Sequence, residues 1–194
     1  MKGPFDASDA ATPFTPQERD QLIPTHVTLR GELNELEQQN IGDADAWAFA
    51  RKRNVLDEGF LRGLHRRMFN RVWRWAGQYR TTERNLGVAP YLIQPELLQA
   101  IGDARYWVEQ QSYAPDALAV RFHHRAVFVH PFANGNGRWS RLAADLLIVR
   151  LGQPRFSWGG ADLQAAGNAR QVYIDALHKA DHHDLSPLIA FARS

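Results

Sequence analysis

Apolar residues recur at three- and four-residue spacings along most of this chain, the period of helices that bury one face. The pattern predicts helices over 44–53, 57–75, 95–111, 115–130, 137–151, 161–180 and 185–193, with another from Thr28 to Gln39. Pro95, Pro115, Pro154 and Pro187 fall near the boundaries, where helix punctuation belongs. Thr15-Pro-Gln-Glu18 reads as a helix start, with Thr15 as N-cap and Glu18 closing a capping box. Residues 1–14 have no periodicity and read as a loose arm, so the expected organisation is one domain over 15–194. Residues 76–93 break the helical period. Thr81, Thr82, the alternation near Val88 and the turn formers Asn85 and Gly87 predict a short β-hairpin flap. The expected fold is all-α with this one small β excursion.

Composition narrows the picture. Of the 194 residues 44% are hydrophobic, enough for one domain with a core. The formal charge of +2 is too small to imply a nucleic-acid partner. Arginine far outnumbers Lys2, Lys52 and Lys179, a skew that GC-rich coding explains better than function. There is no cysteine, which excludes disulfides, thiolate-held zinc and thiol catalysis and fits a reducing, cytoplasmic setting. No apolar run approaches ~18 residues, so neither a membrane span nor a secretory segment is expected.

The chemistry concentrates in His130-Pro-Phe-Ala-Asn-Gly-Asn-Gly-Arg138, with Arg141 following. Pro131 ends the preceding helix and biases His130 away from the α region. Gly135 and Gly137 permit a tight turn with converging N–H groups, and a new helix starts there, so phosphate oxygens suit the junction. Arg138 and Arg141 share a helix face and offer bidentate contacts to further phosphates. His130 has the ordinary basicity of a general base, and Phe132 reads as a core anchor. His123 and His130 are seven residues apart, roughly 10 Å along a helix, too far to share an ion. His123 and His124 therefore read as packing or surface residues, and His182 and His183 as a solvated helix end. The basic, aromatic stretch Arg62 to Trp75 admits a nucleic-acid reading. Leu61, Leu64, Met68, Val72 and Trp75 nevertheless form a core-facing stripe, with Arg62, Arg66 and Arg74 on a solvated side.

The 130–141 stretch resembles the Fic family signature, His-x-Phe-x-Asp/Glu-Gly-Asn-Gly-Arg-x-x-Arg, with Asn134 in the acidic slot. Gly77-Gln-Tyr-Arg80 and a helical tail with Tyr173 extend the likeness over about 25–185. Asn134 and the stretch Arg30 to Asn34 are similar to the subgroup called mobile mystery protein B. The resemblance implies a Fic-type helical bundle with motif helices over 115–151 and transfer of AMP from ATP to a Ser, Thr or Tyr hydroxyl of a target protein, its own included. It implies His130 as base, with Asn134, Gly135, Asn136, Gly137, Arg138 and Arg141 on the phosphates. The family's acidic residue holds Mg²⁺, so Asn134 would be a weak ligand, lacking the charge. The flap would hold the target's main chain by strand addition. Family members often carry an inhibitory helix, Ser/Thr-x-x-x-Glu-Gly/Asn. Thr28-Leu-Arg-Gly-Glu32 fits its first five positions, which makes Glu32 the regulatory candidate within 15–40, with Glu35 and Glu37 next.

A kinase of the Doc type is disfavoured, because its turn is Ala-Asn-Lys-Arg-like. The rival from another class is a catalytically silent nucleotide- or protein-binding module, favoured by Asn134 and opposed by His130, Arg138 and Arg141. A DNA-associated factor rests on the basic helix alone.

Overall fold

The computed structural model describes residues 20–27, 30–84, 86–160, 163 and 167–194. Among these, seven α-helices form a bundle without a sheet: α1 (Arg30–Phe49), α2 (Glu58–Phe69), α3 (Ile93–Glu109), α4 (Pro115–Val129), α5 (Asn136–Arg150), α6 (Asn168–Asp181) and α7 (Ser186–Arg193). The all-α expectation holds. No described helix is long and apolar enough to cross a membrane. The arm 1–14 and the capping box at Thr15–Glu18 lie outside the described residues.

Helix α5 is the centre. Trp139, Ala143, Ala144, Leu147 and Ile148 are fully or nearly fully buried, so it is covered on almost every side. It packs against α4, while α1 pairs with α2 and α6 with α7. Its one buried acid, Asp145, accepts from Trp158 Nε1 and Arg155 Nε, each at 2.8 Å. Phe132 is also fully buried, as its anchor role requires.

Two expected boundaries shift. The helices expected at 28–39 and 44–53 are one helix, α1. Its buried stripe is Leu33, Glu37, Asn40, Ala44 and Ala48, so polar side chains occupy two core positions and interrupt the apolar period. Conversely, α2 ends at Phe69, not near 75. The Asn40 side chain donates to Arg67 O at 2.7 Å and accepts from Arg71 N at 3.0 Å. The chain then turns, and Val72 and Trp73 reach the core from that turn.

The hairpin expected at 76–93 is not built as a β-ladder among the described residues. A single antiparallel bridge instead pairs Tyr79 with Phe132. The cause is Arg80, whose buried guanidinium takes the carbonyls of Thr82 and Val88, groups that a hairpin would pair across its strands. The stretch thus folds around one arginine and docks on the loop after α4.

Candidate active site

Helix α4 ends where His130 takes the left-handed conformation, φ 51° and ψ 58°. That costs a non-glycine residue about 1–2 kcal/mol; Pro131 excludes continuation of the right-handed helix but by itself favours extended backbone. Arg80 secures the result. Its Nε donates to His130 O at 2.7 Å, and its backbone N–H donates to Pro131 O at 2.9 Å. The partly exposed imidazole has a buried Nδ1 with no well-formed hydrogen bond. Burial, with Arg80 and then Arg84 nearby, lowers its pKa to about 4, against a smaller opposing pull from the Val127 carbonyl. At neutral pH His130 is an uncharged base.

The loop after His130 is fixed from two sides. Asn136 binds the backbone of Phe132 as a strand would, accepting from its N–H at 2.9 Å and donating to its carbonyl at 2.8 Å. Its side chain is therefore committed to the loop, and only its backbone faces the cradle. From the other side comes His65, a residue the sequence reading passed over. Gly77 N donates to its Nδ1 at 3.0 Å, so Nε2 carries the proton and donates to Asn134 O at 3.1 Å. Burial first, then Arg138, lowers the His65 pKa to about 3, the Asn134 carbonyl acting the other way. The ring stacks on Phe132 with centroids 3.6 Å apart. His65 thus ties the motif loop to the start of the 77–88 stretch. Its position four residues after Leu61, on the core face of α2, was the available signal.

Gly135 opens α5 at φ 78°, a left-handed residue where a Cβ would run into the Phe69 ring. The first α-helical bond runs from Trp139 N to Gly135 O, so the N–H groups of Asn136 and Gly137 have no acceptor within the helix. The conformation at Gly137 is ordinary, and its value is an open approach to the helix start.

The two arginines differ in electrostatic state. Arg138 pairs with the buried carboxylate of Glu37 at 2.5 Å, and Trp73 Nε1 donates to the other carboxylate oxygen at 2.6 Å. Arg141 has no ion pair among the described residues, and its guanidinium carbon lies 5.4 Å from the Tyr173 ring centroid. Glu32 is exposed on the first turn of α1. Glu37, one turn and a half further along that helix, is the acid paired with Arg138. His124 pairs with Asp181 at 2.8 Å, and His182 and His183 are exposed. Arg62, Arg66 and Arg74 line an exposed groove of about 570 Å³ away from the motif.

The residues do not make a protein-held Mg²⁺ site. Among the described residues no three His, Cys, Asp or Glu side chains converge. Asn134 is exposed, and its Oδ1 accepts from the N–H of the next residue, Gly135, at 2.7 Å. An amide already engaged this way is a poor substitute for a carboxylate. Asn134→Asp is expected to raise Mg²⁺ affinity in the presence of ATP by about an order of magnitude, because it supplies the missing charge. Calorimetry with Mg²⁺ and ATP checks this, and an unchanged affinity would separate position 134 from metal binding.

Comparison with known proteins agrees with this geometry. Residues 55–148 match the model of the Fic/DOC family and constitute a Fic/DOC family domain. The chain is 30% identical over 119 residues to protein adenylyltransferase fic-1 of Caenorhabditis briggsae, covering 60% of this chain and 22% of that protein. It is 28% identical over 188 residues to the probable protein adenylyltransferase y4lH of Sinorhizobium fredii, covering 87% and 91% of the two chains. It thus spans under a third of the nematode protein and most of the bacterial one. The fold is that of the Bartonella tribocorum effector BepC, solved with bound AMPPNP: TM-score 0.69, 17% identity, covering 92% of this chain and 97% of that one. Fic-1 of Caenorhabditis elegans superposes with a TM-score of 0.63 at 23% identity, covering 91% of this chain and 53% of that one.

Proposed function

We propose that this protein is a protein adenylyltransferase that moves AMP from ATP to a Ser, Thr or Tyr hydroxyl of a target protein, its own surface included. The observation that carries the reading is an uncharged His130, pinned at a helix end, beside an open helix start followed by Arg138 and Arg141. In this reading the N–H groups at the start of α5 receive the α- and β-phosphates, and the arginines receive the outer phosphates. His130 removes the proton from the target hydroxyl. The oxygen attacks the α-phosphorus, one P–O bond forms, the bond to the β-phosphate oxygen breaks, and pyrophosphate leaves. With no carboxylate in the loop, most of the protein's charge compensation comes from arginine. Asn134 and the stretch Arg30 to Asn34 support the mobile mystery protein B likeness.

The test is incubation with ATP and intact-mass measurement of the protein and of added target fractions, alongside GTP, CTP and UTP. Mass gain by one AMP supports the reading. Nucleotide binding without mass gain would instead support the silent binding module, which Asn134 and the neutralised Arg138 favour.

Glu37 joins Glu32 as a candidate for control of this site, because its ion pair competes with an incoming anion for Arg138. Glu37→Gln keeps an acceptor for Trp73 and removes the negative charge. It is expected to raise ATP affinity and lower stability by roughly 3 kcal/mol, the lower end for breaking a buried pair. Calorimetry and thermal melting read the two effects, and unchanged ATP binding with the expected loss of stability would remove Glu37 from control.

A further inference from the structure

Behind Arg141 lies a buried pair that the reaction as described does not use. His123 on α4 is fully buried, and its Nε2 is 3.0 Å from the hydroxyl of Tyr173 on α6, itself 7% exposed. The imidazole is wedged against Trp158, and the phenol against Phe191, with centroids 4.7 and 5.6 Å apart. The Tyr173 hydroxyl and Arg141 Nη1 lie 3.9 and 3.8 Å from the same point, the place a Cβ on Gly137 would occupy. The phenol oxygen and the guanidinium therefore border the open approach to the start of α5 together.

The proton positions follow from charge. Burial, with Arg141 nearby, holds His123 well below its ordinary pKa, so the ring is neutral and has one N–H. Nδ1 makes no well-formed hydrogen bond, and Arg141 can only donate, so the hydroxyl turned toward it has its own proton for Nε2 as acceptor. Tyr173 then donates to Nε2 and turns its lone pairs toward Arg141. Arg138 is neutralised by a carboxylate, whereas Arg141 faces a neutral acceptor and keeps its full charge.

We propose that Tyr173, oriented by His123, is a positioning residue that holds the Arg141 guanidinium over Gly137 while leaving it free to bind the outer phosphates of a nucleoside triphosphate. This rests on the nucleotide reading above and deepens it: Arg141 is the site's standing anion receptor, and the buried pair sets its place.

The experiment is calorimetric binding of ATP and of AMP to the full chain. Tyr173→Phe is expected to weaken ATP about 5- to 10-fold, the loss of one hydrogen bond oriented toward a charged group. AMP, without outer phosphates, should change less than about twofold. In an Arg141→Ala background, Tyr173→Phe should cost nothing further for ATP, because the two residues act as one unit. His123→Leu should reproduce the Tyr173→Phe loss, and His123→Gln, whose amide oxygen can stand in for Nε2, should restore most of it. Equal losses for ATP and AMP, or additive losses in the double variant, would reduce the pair to packing and overturn the proposal. Coupled losses in a protein that transfers no AMP would leave this proposal standing and sink the transferase reading. A wild type that binds no ATP would sink both.

Discussion

His130→Ala is expected to cut AMP transfer by about 10²- to 10⁴-fold, the usual worth of a positioned general base. The fold should survive with a stability change within about 1–2 kcal/mol. The imidazole Nδ1 makes no well-formed hydrogen bond, so little bonding is lost with the ring. What holds the turn is backbone. Arg80 grips the carbonyls of residues 130 and 131, and alanine presents the same ones. The left-handed conformation costs alanine about what it costs histidine. ATP binding should persist, since the cradle begins five residues later. The lowered pKa also means that the base is already unprotonated at pH 7, so transfer should not decline between pH 7 and 6 through protonation of His130. Mass measurement, calorimetry and thermal melting together check the variant. Wild-type transfer by the alanine protein would remove His130 from the chemistry.

The motif was legible because its parts are local. His130, Gly135, Arg138 and Arg141 lie within twelve residues, and Pro131 and the glycines punctuate them in sequence. The partners that set their electrostatic states are distant. Glu37 meets Arg138 across 101 residues and His65 meets Asn134 across 69, separations at which spacing has no meaning. A glutamate and an asparagine on the buried stripe of α1 also look like a solvated face until Trp73 and the α2 C-terminus supply their partners. That is why the pattern predicts two helices where α1 is one, and why Glu37's pairing with Arg138 is not legible in it. The error in α2 has the opposite origin. Val72 and Trp75 keep helical spacing by coincidence, since side chains delivered from a turn can reach the same core. Arg80 hid the true form of the 77–88 stretch, because a sequence reads threonines and glycine as strand and turn but cannot show a guanidinium taking their carbonyls.

Acid should destabilise this protein well before ordinary carboxylates titrate. His65 and His123 are both completely buried, with pKa values lowered to about 3 in the first and well below the ordinary value in the second. In the unfolded chain both take up protons near pH 6.5. The stability tied to their neutral forms is therefore complete above about pH 6.5. Below it the unfolded state binds more protons and gains, at about 1.4 kcal/mol per pH unit for each histidine. Asp145 works against this. Burial raises its pKa to about 6, Arg155 and Trp158 opposing, so below pH 6 the folded state takes up a proton that the unfolded chain still refuses. That returns about one histidine's share per pH unit. His130, its pKa lowered to about 4, belongs to the same balance. His65 and His130 less Asp145 cost roughly 2–3 kcal/mol from pH 7 to pH 5, and His123 adds to the loss in the same direction, so Tm falls by at least about 5–10 °C for a chain of this size. Thermal melts at pH 7, 6 and 5 at constant ionic strength measure it, and the fall should steepen below about pH 6, where the unfolded histidines are mostly protonated. A Tm that stays level across that range would mean that at least one of the two buried rings accepts a proton in the folded state. If His123 is that ring, its Nε2 is no longer an acceptor, and the orientation of Tyr173 toward Arg141 goes with it.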